Sequence, residues 1–203
     1  MKKIFLKSGV ALLLMLSASS CSPVSLALGA GAVVGSAAMQ EGGIEVAAED
    51  TAIKVSIIDS WVREDFDIFR NLDLTVKEGR VLITGSVQSP DMRVEAVRLV
   101  WKAKGVKQVL NEIMVDEEPM GIISMVSDKV ISGSLKTRIM FDKEINSLNY
   151  SVDTNKGNIY LMGVARSQEE LDKVIDYARK TKNVQNVVNY VRLRQESLDN
   201  IKN

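Results

Sequence analysis

The chain has 203 residues, with 26 Lys and Arg against 26 Asp and Glu and no histidine, so its formal net charge at pH 7 is zero. The absence of histidine excludes Ser-His and Cys-His catalysis and histidine metal sites. Neither a P-loop nor a dinucleotide fingerprint occurs, and we predict no catalytic residue, no metal ion, no cofactor and no nucleic-acid partner.

Residues 1–20 are predicted to form a secretory signal peptide. Lys2, Lys3 and Lys7 supply a positive start, and the apolar run from Val10 to Leu16 follows them. That run is too short for a membrane-spanning helix, which needs about 20 apolar residues. The alternative is that the signal is not cleaved, in which case residues 10–39 form one membrane-associated segment.

The only cysteine of the chain, Cys21, directly follows the small residues Ala18, Ser19 and Ser20. This stretch resembles the lipobox of bacterial lipoproteins, in which the cysteine is acylated, although such signals usually have Leu where Ala18 stands. A lone cysteine forms no intramolecular disulfide in an oxidising compartment. We therefore expect lipid attachment at Cys21. The next residue, Ser22, resembles that of lipoproteins sorted to the outer membrane, since an Asp there would favour retention in the inner membrane. The resemblance implies a lipid-anchored protein of the outer membrane that faces the periplasm; the alternatives are a free thiol or cleavage elsewhere.

Residues 21–50 are predicted to comprise the acylated cysteine and a flexible tether rich in Gly and Ala. Gly31 and Gly35 have the small-xxx-small spacing of membrane helix contacts. The stretch is short and rich in glycine, so the tether is the favoured interpretation.

Two copies of one unit follow, at an offset of 78 residues. The first copy is assigned to residues 51–117 and the second to residues 122–194, with a linker between them and a C-terminal tail at 195–203. Pro119 and Gly121 mark the linker. Five pairs of residues are identical at this offset: Gly79 and Gly157, Gly85 and Gly163, Val106 and Val184, Val109 and Val187, and Asn111 and Asn189.

Each copy is predicted to fold as an αββαβ sandwich, which makes the fold class α+β. A three-stranded mixed sheet is expected to pack on two helices, with an antiparallel hairpin first and a parallel strand after the second helix. The second helices are placed at about 91–104 and 168–182. Apolar residues four apart predict the buried face of the first helix of each copy: Ile53, Ile57 and Trp61, and Ile131, Leu135 and Ile139.

These patterns resemble the BON domain. The segments "GRVLITGSV" with "GVKQVLNEI", and "GNIYLMGVA" with "NVQNVVNYV", carry the resemblance, which covers nearly the whole chain. One departure is Asn183, which stands where the family normally has glycine; Asn tolerates left-handed backbone conformations. Two such units after a lipoprotein signal resemble the two-BON lipoproteins of the outer membrane. That resemblance implies a protein without catalytic activity that supports envelope integrity.

The charge of the two copies differs in sign. Residues 41–119 contain 10 Lys and Arg against 16 Asp and Glu, whereas residues 120–203 contain 13 against 10. The second copy is therefore the one expected to approach an anionic surface. On its first helix, spacings of three and four residues predict a face that mixes apolar and cationic groups. That face consists of Ile122, Met125, Lys129, Ser132 and Lys136.

The BON resemblance implies that this face binds anionic phospholipid, such as phosphatidylglycerol. Relatives carry an aromatic residue near the helix start, where this chain has Val130. The other interpretation is that Ile122 and Met125 pack against the first copy. Trp61 is expected in the core, and Trp101 is expected to contact the other copy. A secondary basic group is predicted at the end of the last helix: Arg179, Lys180 and Lys182.

The favoured function is therefore binding of an anionic phospholipid membrane by the second copy. The alternative is a protein-binding adaptor that docks envelope assembly proteins or peptidoglycan-remodelling machinery. A hydrolase that uses a carboxylate pair is a remote third class. The sequence supports no prediction of oligomeric state.

Overall fold

The computed structural model describes residues 43–116 and 122–194. The first unit consists of α1 (Gly43–Glu64), α2 (Phe66–Asn71), β1 (Leu72–Lys77), β2 (Arg80–Val87), α3 (Pro90–Lys102) and β3 (Gln108–Val115). The second unit consists of α4 (Ile122–Phe141), a 3-10 turn (Ser147–Asn149), β4 (Tyr150–Asn155), β5 (Asn158–Ala165), α5 (Gln168–Arg179) and β6 (Asn186–Leu193).

The two sheets have the same topology. In each, the first two strands pair antiparallel and the third joins the second in parallel, giving the orders β1-β2-β3 and β4-β5-β6. This arrangement confirms the predicted α+β class and the αββαβ unit. The segments predicted as signal peptide, lipid-attachment cysteine, linker and C-terminal tail lie outside the described residues.

Three local features differ from the expected elements. Helix α1 begins at Gly43, within the segment assigned to the tether, and α3 and α5 end two to three residues before the expected ends. The short helix α2 was not expected. Its N-cap is Asp65, whose carboxylate accepts hydrogen bonds from the backbone N–H groups of Asp67 and Ile68.

Each unit has its own hydrophobic core between its helices and one face of its sheet. All six apolar residues predicted to line these cores from the first helices are buried. Trp61 is almost completely enclosed, and its indole Nε1 donates to the carbonyl of Ala96 on α3 at 3.1 Å. This bond connects α1 to α3. In the second core, Val174 and Ala178 of α5 are fully buried.

A carboxylate on the first helix of each unit holds the following hairpin turn. Asp50 accepts hydrogen bonds from the backbone N–H groups of Glu78 and Gly79, each at 2.8 Å. One repeat later, Asp128 accepts from Lys156 at 2.7 Å and from Gly157 at 2.9 Å. All four turn residues have positive φ, as a tight hairpin requires.

The two units pack sheet against sheet, with their helices on the outside. Along β2, Val81 and Ile83 point into the first core, whereas Leu82 points to the other unit. Leu82 forms a buried cluster with Tyr160 and Met162 of β5. Hydrogen bonds surround the cluster: Arg80 to the carbonyl of Tyr190, the hydroxyl of Tyr190 to Glu112, and Arg192 to Gln108.

An acidic side chain is partly buried in this interface. Asp153 accepts a hydrogen bond from the hydroxyl of Thr84, which belongs to the other unit. Burial is the main cause that raises the pKa of Asp153 above its ordinary value of 3.8; Asp73 raises it further, while the Thr84 bond and Lys129 lower it. The native state therefore binds this proton more readily than the unfolded chain does.

Replacing Asp153 by asparagine is expected to stabilise the protein at pH 7. Because the native pKa is raised, the protonated carboxyl group favours folding below pH 3.8, and this contribution is lost as the pH rises through the native pKa. Asparagine keeps an acceptor for Thr84 without the buried charge. Urea unfolding should show a higher midpoint for Asp153→Asn at pH 7 and a smaller difference near pH 4. A lower midpoint at pH 7 would contradict this account.

Candidate functional site

Helix α4 exposes a line of apolar and small residues to solvent. Its opposite face is fixed by Ile131, Leu135 and Ile139, which are buried in the second core. Because an α-helix has 3.6 residues per turn, residues spaced alternately by three and four lie along one line. Five exposed residues follow this spacing, and Phe141 lies beside the last of them: Val126, Val130, Gly133, Thr137, Met140 and Phe141.

The apolar members of this line, Val126, Val130, Met140 and Phe141, are strongly exposed, and we name these four residues the α4 stripe. Val130 exposes 65% of its surface and Phe141 exposes 77%. Isolated exposed apolar residues are common in soluble proteins, whereas contiguous apolar patches mark interaction surfaces. The stripe is therefore the leading candidate for a contact surface on the second unit.

Two lysines flank the stripe on one side. Lys129 and Lys136 are exposed, and each directly precedes a residue of this line in the sequence. The ammonium of Lys129 lies 3.3 Å from a carboxylate oxygen of Asp73, and both groups are exposed, so the pair contributes little and can separate. Lys136 makes no ion pair with the described residues. Apolar groups beside lysines are the pattern of helices that lie at a membrane surface.

The structure corrects one member of the predicted face. Ser132 is buried, with only 6% of its surface exposed, and its hydroxyl shares a 2.7 Å hydrogen bond with that of Thr154 on β4. It lies beside the core residue Ile131 on the helix, so it cannot contact a ligand outside. Met125 is half exposed and lies beside residues of the first unit. The side chain of Ile122 lies outside the described residues.

Sequence reasoning missed three members of the stripe. Val126, Met140 and Phe141 are exposed, but they fell outside a face that was defined from Ile122 and Met125. The signal that could have found them is the spacing of residues 126, 130, 133, 137 and 140, which places small and apolar residues along one line opposite the core positions.

The equivalent helix of the first unit lacks lysine at the two matching positions. One repeat earlier, Thr51 and Ile58 occupy the positions of Lys129 and Lys136, and Ala52 occupies that of Val130. Val55 and Val62 are exposed on this helix, with the exposed Lys54 beside Val55 and Asp59 within their line. A pair of lysines beside the line is thus found on α4, whereas α1 has one lysine beside its line and a carboxylate in it.

The secondary basic group lies apart from α4, at the end of α5. Arg179, Lys180 and Lys182 are all exposed. The ammonium of Lys180 is 2.7 Å from a carboxylate oxygen of Asp176, one turn earlier. Cations at a helix C-terminus are favoured by the helix dipole, so this position has a structural explanation. Trp101, expected at the other unit, is instead 54% exposed on the outer helix α3.

Asp65 and Glu170, each close to another acidic residue in the sequence, have structural roles. Asp65 caps α2, as described above. Glu170 is buried and accepts hydrogen bonds from the backbone of Asn146 and from the guanidinium of Arg166. Within residues 43–116 and 122–194, no group of three potential ligands is positioned to hold a metal ion. No described helix has both the length and the apolar character needed to cross a bilayer.

Comparison with known families agrees with this architecture. The BON-domain family model matches residues 49–117 and 127–195, which together make up more than half of the chain, with one match in each unit. The chain belongs to the BON-domain family. Each BON domain is one αββαβ unit, and the glycines of the turns and of β2 and β5 recur in both.

Three relatives illustrate the range of similar proteins. An "uncharacterized protein in gshII 5'region" of Anaplasma centrale is 41% identical over 150 residues, covering 74% of this chain and 98% of the relative. Osmotically-inducible protein Y of Escherichia coli K12 is 25% identical over 149 residues, covering 72% and 73%. The outer membrane lipoprotein DolP of Haemophilus influenzae is 26% identical over 110 residues, covering 54% and 56%.

Proposed function

We propose that this protein is a non-enzymatic lipoprotein of the outer membrane whose second BON domain binds anionic phospholipid through the α4 stripe. Acylation at Cys21 would hold the chain at the membrane, facing the periplasm, and its role would be to support envelope integrity. The similarity to an outer membrane lipoprotein supports the localisation. The observation that carries the binding proposal is the exposed line of apolar residues beside Lys129 and Lys136.

The chemistry of the stripe suits the boundary of a bilayer. Val126, Val130 and Met140 can enter the region between headgroups and acyl chains, which gains about 25 cal/mol per Å² of apolar surface removed from water. Each flanking lysine adds about 1 kcal/mol near an anionic leaflet. Both terms are modest, so the stripe is expected to bind reversibly and to depend on the acyl anchor for stable attachment.

Vesicle sedimentation tests this proposal without the anchor. Residues 41–203 should sediment increasingly with liposomes as their phosphatidylglycerol content rises. Lys129→Glu with Lys136→Glu should weaken binding at least tenfold, because two attractive charges become repulsive. Val130→Asp should also weaken binding, because the carboxylate opposes burial at the boundary.

The repeat supplies a matched control. Ala52→Asp places the same carboxylate at the equivalent exposed position of the first domain, and it should leave vesicle binding unchanged. Binding that does not depend on phosphatidylglycerol, or an equal loss with Ala52→Asp, would contradict the assignment to α4.

One observation favours a protein-binding adaptor as the second candidate. The first domain exposes Val62, Phe66 and Phe69 beside one another, with the two phenylalanine rings 5.6 Å apart. The nearby cations Arg63 and Arg70 are paired with Asp59 and Asp67. Exposed aromatic residues without free cations suit a protein surface better than an anionic membrane. Absence of vesicle binding at every composition would favour this function.

A further inference from the structure

A carboxylate of the first domain contacts one of the two lysines beside the α4 stripe. Asp73 lies near the start of β1, and its carboxylate accepts a hydrogen bond from the ammonium of Lys129, at a distance of 3.3 Å. Lys136 lies two turns further along α4 and makes no ion pair with the described residues. The two lysines therefore differ before any ligand arrives, because only one of them is already held by an acidic group.

Lys129 also faces a second carboxylate at the domain junction. Asp73 pairs with Thr84 in the register of β1 and β2, and the hydroxyl of Thr84 donates to Asp153 of the second domain. Acidic side chains of both domains thus lie close to one threonine. Burial raises the pKa of Asp153, and the charge of Asp73 raises it further, whereas Lys129 lowers it. The ammonium of Lys129 is therefore the cation that offsets the repulsion between these two carboxylates.

A phosphate headgroup and Asp73 compete for this ammonium. When Lys129 moves to a headgroup it gives up its bond to Asp73, and the two carboxylates lose the cation between them. The side chains of Lys129 and Asp73 are 66% and 61% exposed, so the bond between them is weak. An exposed pair of this kind shifts an equilibrium by roughly fivefold at most. The contact can therefore reduce the affinity of α4 for an anionic surface, but it cannot prevent binding.

We propose that Asp73 is an internal competitor for Lys129, so that the first domain restrains the binding of anionic phospholipid by the second. This inference rests on the proposed function of the α4 stripe and adds its regulation. In the restrained state Lys129 is bound to Asp73, and Lys136 is the lysine available to a phosphate. In the released state both lysines contact phosphates. Because coupling between two equilibria is reciprocal, headgroup binding in turn weakens the contact between the domains.

Vesicle sedimentation of residues 41–203, which contain both domains, tests this inference. Asp73→Asn removes the competing charge and keeps the size of the side chain. It should bind phosphatidylglycerol vesicles about threefold more tightly than wild type, because the ammonium is free before binding. Vesicles of phosphatidylcholine alone should show no such gain, since they carry no net negative charge.

Glu49→Gln is the matched control. It removes one exposed negative charge from the same domain. Its neighbour Asp50 binds the hairpin turn that follows β1, whereas Asp73 lies near the start of that strand. At 0.15 M salt, charges more than about 8 Å apart are largely screened. Glu49→Gln should therefore bind phosphatidylglycerol vesicles like wild type.

Two lysine variants separate competition from net charge. Lys129→Ala should weaken binding about threefold more in the Asp73→Asn background than in wild type, because only in that background does Lys129 bind a phosphate without giving up a partner. Lys136→Ala should weaken binding equally in both backgrounds.

The outcomes distinguish this inference from the proposed function. Equal binding by wild type, Asp73→Asn and Glu49→Gln to phosphatidylglycerol vesicles would overturn the inference and leave the proposed function standing. An equal loss with Lys129→Ala in both backgrounds would overturn it in the same way. If neither wild type nor Asp73→Asn binds these vesicles, the proposed function fails and this inference fails with it.

Discussion

Replacing Gly163 by alanine is expected to unfold the second BON domain. Gly163 lies in β5 with a φ of 146°, a conformation that side chains rarely adopt. A Cβ built there would lie 1.9 Å from the carbonyl oxygen of Asn149, which is backbone and cannot rotate away. Strands β4 and β5 would have to separate at the point where Tyr150 pairs with Gly163.

The expected destabilisation is at least about 3 kcal/mol, because backbone strain adds to the loss of strand pairing. A domain of this size has a total stability of about 3–10 kcal/mol, so the loss is a large fraction of the whole. Hydrogen exchange should become fast in β4, β5 and β6 and stay slow in β1 and β2. Gly85, one repeat earlier, has the same close contact with the carbonyl of Asn71 and should give the same result in the first domain.

Gly133→Ala is the matched control in the same domain. A Cβ at Gly133 meets no atom within 4 Å, and the residue lies within α4. Alanine in an exposed helix interior is more stable than glycine by about 0.5–1 kcal/mol. The control should therefore raise the thermal midpoint. Wild-type stability of Gly163→Ala would show that the strand accommodates the Cβ and that the packing described here is wrong.

Leu82→Asp is expected to separate the two domains while each remains folded. Leu82 is 2% exposed, yet its contacts lie with Tyr160 and Met162 across the interface rather than in the core of its own domain. Burying an unpaired carboxylate there costs several kcal/mol, and Glu112 and Asp153 in the same interface make it less favourable. Separation lets water reach the new charge.

Small-angle scattering should then report a larger radius of gyration, and thermal unfolding should split into two transitions. Val94→Asp introduces the same charge at an exposed position of the first domain and should leave both measurements unchanged. One cooperative transition with an unchanged radius for Leu82→Asp would show that the sheet interface does not hold the domains together.

The duplication was readable from the sequence because each BON domain is specified by local rules. Apolar spacings of four residues place Ile53 and Ile131 inward on their helices, and the glycines of the turns permit the positive φ of the hairpins. These rules depend on neighbours within a few residues along the chain. Apart from the short helix α2, the order of elements, the two cores and the absence of histidine chemistry therefore followed from the amino-acid sequence.

One sequence signal for the interface was present but not used. The runs "VLI" and "IYLM" are continuously apolar, which is typical of strands covered on both faces. In the structure, Val81 and Ile83 face a helix layer while Leu82 faces the other sheet. An alternating pattern of inward and outward residues predicts burial of only one face of a strand. The covering of the other face by the second sheet was therefore missed.

The sequence by itself determined the duplicated αββαβ fold and placed the cationic, apolar helix surface in the second domain. Only the tertiary structure decided which side chains remain at that surface, because Ser132 and Met125 lie at the edges of α4 where neighbouring strands determine exposure. It also decided the inter-domain contacts, such as Arg80 with Tyr190 across 110 residues. Periodicity records the geometry of one element, whereas such contacts depend on how two folded sheets meet.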